Sequence, residues 1–421
     1  MSDTRGLEKI DEIIEKSGAG SVLDQAAQFF FGERIPSDAL RHVGNAASLS
    51  GYLPYRGYIE GSQIFENLFS LGWVIEIAPL VGSSSQVESI LQGLFEEGFP
   101  EEVHVALSTY ASPYVGDKIE RWARLRVDQD GVMERMARYR AEHLRRMTWT
   151  SGAKGGPFHV RDYRVFMSVS VPKKTGPQVK SIARLEQLRQ RVEATLRTLG
   201  LDNRRMDASE LIGLVHGWLC MGRDSCNPRL EYDDTRFLCD QIVRADSSVD
   251  VFKDRLVAHS SNIGVDSYME GALGARRTFE TRREIRTFTA SRMPRMSSQG
   301  HMAALLGHFT QDMLRLSGVW WSTLKLTYQS AETSKIEAQL RSQQAARQYK
   351  SPFKNMFPQM IQRADEWGHV NGQVQDGARL LRYAYCVMIQ APMGDCEQAE
   401  RSLRSLYRTC GFDLERNDNA H

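Results

Sequence analysis

The sequence predicts an α+β fold in which strand-helix-strand units form mainly antiparallel sheets flanked by helices. Three observations predict it. Tyr163, Val165, Met167, Val169 and Val171 recur at every second position, as do Leu381, Tyr383, Tyr385, Val387 and Ile389, the period of a strand. Each run is followed by a helix-period stripe: Val179 to Leu199 after the first, Ala399 to Cys410 after the second. These units are separated by helical and irregular stretches, not strung as a regular βαβαβα series, which argues against a doubly wound parallel sheet.

Residues 1–49 form a helical N-terminal segment. Its opening, MSDTRGLEKIDEIIEK, is charged and lacks the apolar stretch of a secretory signal. Residues 50–200 read as an α+β docking unit. Within it, Ile64-Phe65-Glu66 and Gly72 to Ile77 pair as a hairpin with its turn at Asn67 to Ser70. Ser85 and Glu88 have capping-box spacing, and Val87, Ile90, Leu91, Leu94 and Phe95 share a face of the helix behind them. Gly98 and Pro100 stop that helix, and Val103, Val105 and Leu107 alternate as a strand. The helix after Pro177 carries Ile182, Leu185, Leu188, Val192 and Leu196 and ends at Gly200.

Residues 201–330 form a mixed middle region with a helix at 207–219 and strands near 283–290 and 320–328. Residues 331–421 begin with a polar helix to Lys350, exposed or lying on a partner, whose apolar positions are Ile336 and Leu340. The alternating strand Leu381 to Ile389 follows. Asp395 then opens a helix, Gly411 closes it, and Phe412 to Leu414 starts a further strand.

Composition narrows the function classes. The chain has 421 residues, enough for a sizeable core, with 54 Lys plus Arg against 52 Asp plus Glu. A net charge of +2 argues against a dedicated nucleic-acid binder, so direct DNA binding is not expected. The six cysteines, at 220, 226, 239, 386, 396 and 410, form no C-x-x-C and read as reduced thiols that pack as small hydrophobes. No apolar run reaches the length of a membrane span; Trp73 to Val81 is broken by Glu76 and Pro79.

Known catalytic patterns are missing. Where Lys precedes Ser or Thr, as at Lys174-Thr175, Lys180-Ser181 and Lys350-Ser351, no Gly stands before the Lys, so no phosphate loop is formed. Gly152 to Gly156 is Gly-rich but lacks the hydroxyl and precedes a strand. There is no H-E-x-x-H, and His301 and His308 lie two helical turns apart, too far to share an ion unaided. No catalytic, cofactor-binding or metal-binding residue is assigned, and no cofactor is expected. The alternative is a self-standing enzyme with an unrecognised site among Glu210, His216, Cys220 and Asp224, or a DNA-handling protein. One charged cluster stands out as a candidate basic surface: Arg276, Arg277, Arg282, Arg283 and Arg286, continuing to Arg292 and Arg295, with Glu280 and Glu284 interleaved.

Several short motifs occur together in order. They are Leu53-Pro54-Tyr55-Arg56 with Tyr58, Gln63-Ile64-Phe65, and Leu71-Gly72-Trp73-Val74-Ile75-Glu76 running on to Gly82. Val115 to Glu120, Asp162 to Phe166, Glu366-Trp367-Gly368 and Cys410 to Leu414 follow. In this arrangement the chain resembles, from about residue 50 onward, the N-terminal region of the TraC family of conjugative type IV secretion ATPases. The resemblance implies a non-catalytic docking and assembly region that links a motor to the inner-membrane secretion complex. It implies that ATP and Mg belong to a C-terminal RecA-like motor domain, beginning where this chain stops. It also implies a cytoplasmic location peripheral to the inner membrane. Partners would be inner-membrane secretion components, the chain's own motor domain, and copies of itself in a full-length homo-hexamer. Tyr55, Arg56, Tyr58 and Trp73 are then candidate interface residues, because aromatic and Arg side chains concentrate at interfaces.

Overall fold

The computed structural model describes residues 49–417 apart from 81, 83, 128–130, 153–157, 175–177, 222–229, 244–246, 266–275, 295–315, 317 and 350–357. The helical reading of residues 1–48, and those at Asp224, Arg295, His301, His308 and most of the Gly-rich stretch, lie outside the described residues. The chain divides into two compact units, Met1–Leu53 and Pro54–His421. In the first, the described part is a single helical turn, α1 (Leu49–Tyr52).

The second unit is built on one antiparallel sheet. Its strands are β1 (Tyr55–Ile59), β2 (Ile64–Asn67), β3 (Ser70–Ile77), β4 (His104–Ser112), β5 (Asp162–Pro172), β6 (Asn203–Arg205), β7 (Ser247–Val251), β8 (Leu256–Val265), β9 (Arg276–Arg292), β10 (Val319–Tyr328), β11 (Leu381–Pro392) and β12 (Asp413–Arg416). The order across the sheet is β1-β2-β3-β5-β4-β10-β11-β9-β8-β7. Two short strands fill edges that others leave open. β2 releases β3 at Gly72, and β6 takes over from Ile75. β8 leaves β9 at Ile285, and β12 pairs from Phe288 onward.

The predicted hairpin is present, with Phe65 opposite Gly72. Gly72 is required there, because a Cβ would meet the Val169 carbonyl oxygen at 2.6 Å. Helix α2 (Ser85–Glu97) starts one residue earlier than the capping-box spacing indicates: Ser84 is the N-cap and accepts from the Val87 amide. Between β4 and β5 stand α3 (Gly116–Val127) and α4 (Val132–Arg146), which pack on each other. Helix α5 (Val179–Thr198) buries Leu185, Leu188, Val192 and Leu196, and Gly200 leaves it with a φ of 69°. Next come α6 (Ala208–Leu219) and α7 (Leu238–Ile242). The polar helix α8 (Ala331–Tyr349) packs against α9 (Pro358–Gln375), burying Ala338 and Ala345 while Ile336 and Leu340 stay exposed. Finally, α10 (Cys396–Thr409) buries the Ala399, Leu403, Leu406 and Tyr407 stripe.

Register places two cores on the same face of the sheet. Helices α2 and α5 cover Leu71, Trp73, Ile75, Val105, Met167 and Val169, while α10 covers Trp320, Val387, Ile389 and Phe288. Adjacent residues point to opposite faces, so Trp321 emerges on the other side. There it stacks on Tyr110 at 4.9 Å and Phe166 at 5.7 Å, and Trp218 of α6 closes edge-on at 5.9 Å. Both faces are therefore occupied at the centre, where the sequence alternation marked only one.

Candidate docking site at the first strand

β1 is an edge strand, hydrogen-bonded within the sheet to β2, with a register shift between Tyr55 and Gly57. All five of its residues are half-buried. The cover comes from α7, which packs on it. Arg56 reaches over to that helix: its Nη1 donates to the Cys239 Sγ at 2.8 Å, and its guanidinium lies 5.7 Å from the centroid of the Phe237 ring. Burial pushes the Cys239 thiol pKa up, against the pull of the Arg56 charge, so the thiol stays protonated and accepts through its lone pairs.

Tyr58 packs 4.9 Å from Phe65 and meets Tyr232 edge-on at 6.2 Å. Burial, with Asp207 beside it, pushes its hydroxyl pKa up. Burial does the same to Tyr55. Below them, the Lys173 ammonium pairs with Glu66 at 2.7 Å. Arg56, Glu66, Lys173, Phe237 and Asp240 line a cleft of about 630 Å³. Its charges are mixed and its rim carries the aromatic rings of Tyr232 and Phe237.

Trp73 is not part of this surface. Only 1% of it is exposed, and its indole N–H donates to the Leu185 carbonyl at 3.1 Å. It stands on the inner face of β3, where a large ring fills the space under α5. The interface reading of Trp73 is thus corrected to a core role, while Tyr55, Arg56 and Tyr58 share the edge strand.

The motifs that carry the resemblance also meet one another in the fold. Arg164 of β5 forms a two-point contact with Glu76 of β3 at 2.6 and 3.0 Å, and Arg204 adds a third at 2.8 Å. Lys118 of α3 pairs with Asp162 at the head of β5. Cys410 to Leu414 ends α10 and begins β12, with Gly411 at a φ of 82°. A family model described as TraC protein matches residues 49–421. This chain belongs to the TraC family. Protein TraC of Escherichia coli (strain K12) is 23% identical to it over 379 residues, covering 87% of this chain and 41% of that protein. The chain thus spans about two fifths of the length of that relative.

The Arg cluster of the TraC-family chain is not one surface. Arg276 and Arg277 lie on β9 opposite Val265 and Gly264. Arg282 is exposed, and Arg283 is half-buried with its guanidinium 5.7 Å from the Trp149 ring centroid. Arg286 is corrected from a basic surface to a buried ion-pair centre: it bonds Glu284 at 3.1 Å and Glu400 of α10 at 2.7 Å. The reason is parity. Glu284, Arg286 and Phe288 share the β9 face that α10 covers.

Glu210, His216 and Cys220 do not converge. Glu210 is spent on the α6 capping box with Asp207 and on a contact with Arg204. His216 is buried, with Nδ1 2.7 Å from the Ile242 carbonyl oxygen, and Cys220 is buried at the helix end. Among the described residues, no group of three or more His, Cys, Asp or Glu is placed to hold a metal, and no helix is long and apolar enough to cross a membrane. Sequence reasoning missed Tyr232 and Phe237, which complete the cleft, and Cys239, which accepts from Arg56 beneath it. The Phe237-Leu238-Cys239 apolar run before Asp240 was the available signal.

Proposed function

We propose that this chain is a docking and assembly region of a conjugative type IV secretion ATPase. It links the motor to the inner-membrane secretion complex and has no ATP turnover of its own. The observation that carries this reading is the TraC family match over residues 49–421. The mixed-charge cleft beside β1 supports it by offering aromatic and Arg anchors on a rigid sheet edge. The partners are cytoplasmic segments of inner-membrane secretion proteins, the motor domain, and neighbouring copies in a full-length hexamer. The chain acts in the cytoplasm, at the inner-membrane surface.

The test pairs one measurement on the purified chain with one in cells. ATP hydrolysis should stay at background, and cross-linking in conjugating cells should capture inner-membrane secretion subunits. Arg56→Glu should weaken capture about 10-fold or more, the scale of a central interface anchor. Saturable ATP turnover by clean protein, or capture unchanged by Arg56→Glu and Tyr58→Ala together, would overturn the reading.

A further inference from the structure

Helix α4 has two apolar faces, and the fold uses one of them. Ala137 and Ala141 are buried, and Ala141 joins Ile119 and Ala123 of α3 in a small core. On the opposite side of the helix, Val132, Met136 and Tyr139 are exposed to 62, 62 and 74%. They follow the i, i+4, i+7 spacing of a single stripe, and His143, also exposed, continues it. In heptad terms Val132 and Tyr139 hold d positions and Met136 and His143 hold a positions, the seam of a coiled coil. Large apolar side chains left open in a row mark a contact surface.

The charges along the seam select its occupant. Glu134 pairs with Arg138 at 2.6 Å, and Arg145 with Glu120 of α3 at 2.9 Å. The Arg140 guanidinium lies 5.4 Å from the Trp122 ring centroid. Arg135 and Glu142 occupy the two g positions, exposed and without a side-chain partner among the described residues. They are opposite in sign and one heptad apart. Two parallel copies of this helix would set Arg135 beside Arg140, because g then meets e, and like charges there repel. Two antiparallel copies set g beside g, so Arg135 of each copy meets Glu142 of the other, twice over.

We propose that α4 pairs two copies of this chain, antiparallel and about a two-fold axis, through the seam of Val132, Met136, Tyr139 and His143. Met136 of each copy packs beside Tyr139 of the other, and Val132 beside His143. Two Arg135–Glu142 pairs close one side of the seam, and on the other side Met133 lies against the stem of Arg140. The surface is complementary to itself, as a two-fold contact requires. The seam is only as long as a 15-residue helix, so the contact falls below the roughly 1,200 Å² of a standard interface and its affinity is no tighter than about 1 μM. One two-fold contact joins copies in pairs and cannot by itself close a six-membered ring, so it is distinct from any contact that builds a hexamer. The competing occupant is a helix of another protein.

Sedimentation velocity of the full chain between about 1 and 200 μM separates the two, because self-association follows mass action. A dimer that grows with concentration is expected. Met136→Glu and Tyr139→Glu, both at exposed positions, should leave melting unchanged and remove the dimer, since each buries two unpaired charges in the seam. Arg135→Glu and Glu142→Arg should each weaken dimerisation about 10-fold at low salt, because two rim pairs turn from attraction to repulsion. Mixing these two single variants in equal amounts should restore the parental affinity: in the mixed dimer both antiparallel pairs are again opposite in sign. A chain that stays monomeric up to about 200 μM would overturn the proposal and leave the stripe to a helix of another protein. A dimer indifferent to Met136→Glu and Tyr139→Glu would place the contact on another face and overturn it too. So would a mixture that associates no better than either single variant, because the antiparallel pairing would then be wrong.

Discussion

Replacing Arg286 by Met tests how the ion pairs beneath α10 contribute. The side chain is 6% exposed, and its partners Glu284 and Glu400 are 8% and 13% exposed. Removing the cation leaves two carboxylates in a poorly solvated layer, supported at the rim by Arg404 at 2.9 Å and Arg255 at 3.8 Å. Breaking a buried pair from one side costs about 3–5 kcal/mol. Unfolding entropy of about 2.1 cal/mol/K per residue, over the Pro54–His421 unit, sums to about 0.8 kcal/mol/K. The expected fall in Tm is therefore about 4–6 °C, read by differential scanning calorimetry at pH 7. A companion variant, Arg286→Met with Glu284→Leu and Glu400→Leu, should recover most of the loss, because an apolar trio needs no counter-charge. Arg404 and Arg255, each about a third exposed, can then turn to water. A single variant melting within about 1 °C of the parent, or a triple variant as unstable as the single, would refute the charge argument.

Three further outcomes are expected. Arg164 and Arg204 outweigh the opposing effect of burial and hold the Glu76 carboxyl below the usual Glu range. Its stabilisation is full above the unfolded pKa and is lost as pH falls through the folded one, so the acid-side decline in stability should flatten in Glu76→Gln, measured by urea midpoints between pH 6 and about 3. Gly72→Ala forces a Cβ onto the Val169 carbonyl and should destabilise by about 1–3 kcal/mol, with amide exchange rising first in β3. Trp73→Ala should cost about 3–5 kcal/mol without changing capture of secretion partners beyond what lost folding explains; a selective loss of capture in folded protein would return Trp73 to the interface.

Much of the fold was legible where one side chain period dominates. The β2–β3 hairpin, α5, α10 and the Tyr385 to Ile389 part of β11 each carry a readable alternation or stripe, and there local pattern and tertiary burial agree, whereas Leu381 and Tyr383 of β11 keep the alternation yet are exposed. Helices α3 and α4 were not, because Arg occupies most of their exposed turns and their buried contacts are small, such as Ala137 and Ala141. The joining of all strands into one sheet was also hidden. β4 pairs with β10 more than 200 residues on, and nothing local to either strand states that register. At the candidate site the edge strand residues were found, but the partners from α7 were not, since Arg56 and Cys239 are 183 residues apart in sequence. Arg286 was misplaced because a run of arginines reads as a surface until strand parity is applied.

The insertion of β10 between β4 and β11 has a consequence for biosynthesis. β4 leaves the ribosome about 200 residues ahead of the strand that covers its free side, an interval of about 10–40 s at ordinary translation rates. Throughout that time its Leu107-Ser108-Thr109-Tyr110 ladder is an open template with no Lys, Glu or Pro to blunt it. The nascent chain is therefore most prone to stick to itself, or to need a chaperone, after the N-terminal half has collapsed and before Val319–Tyr328 has been made.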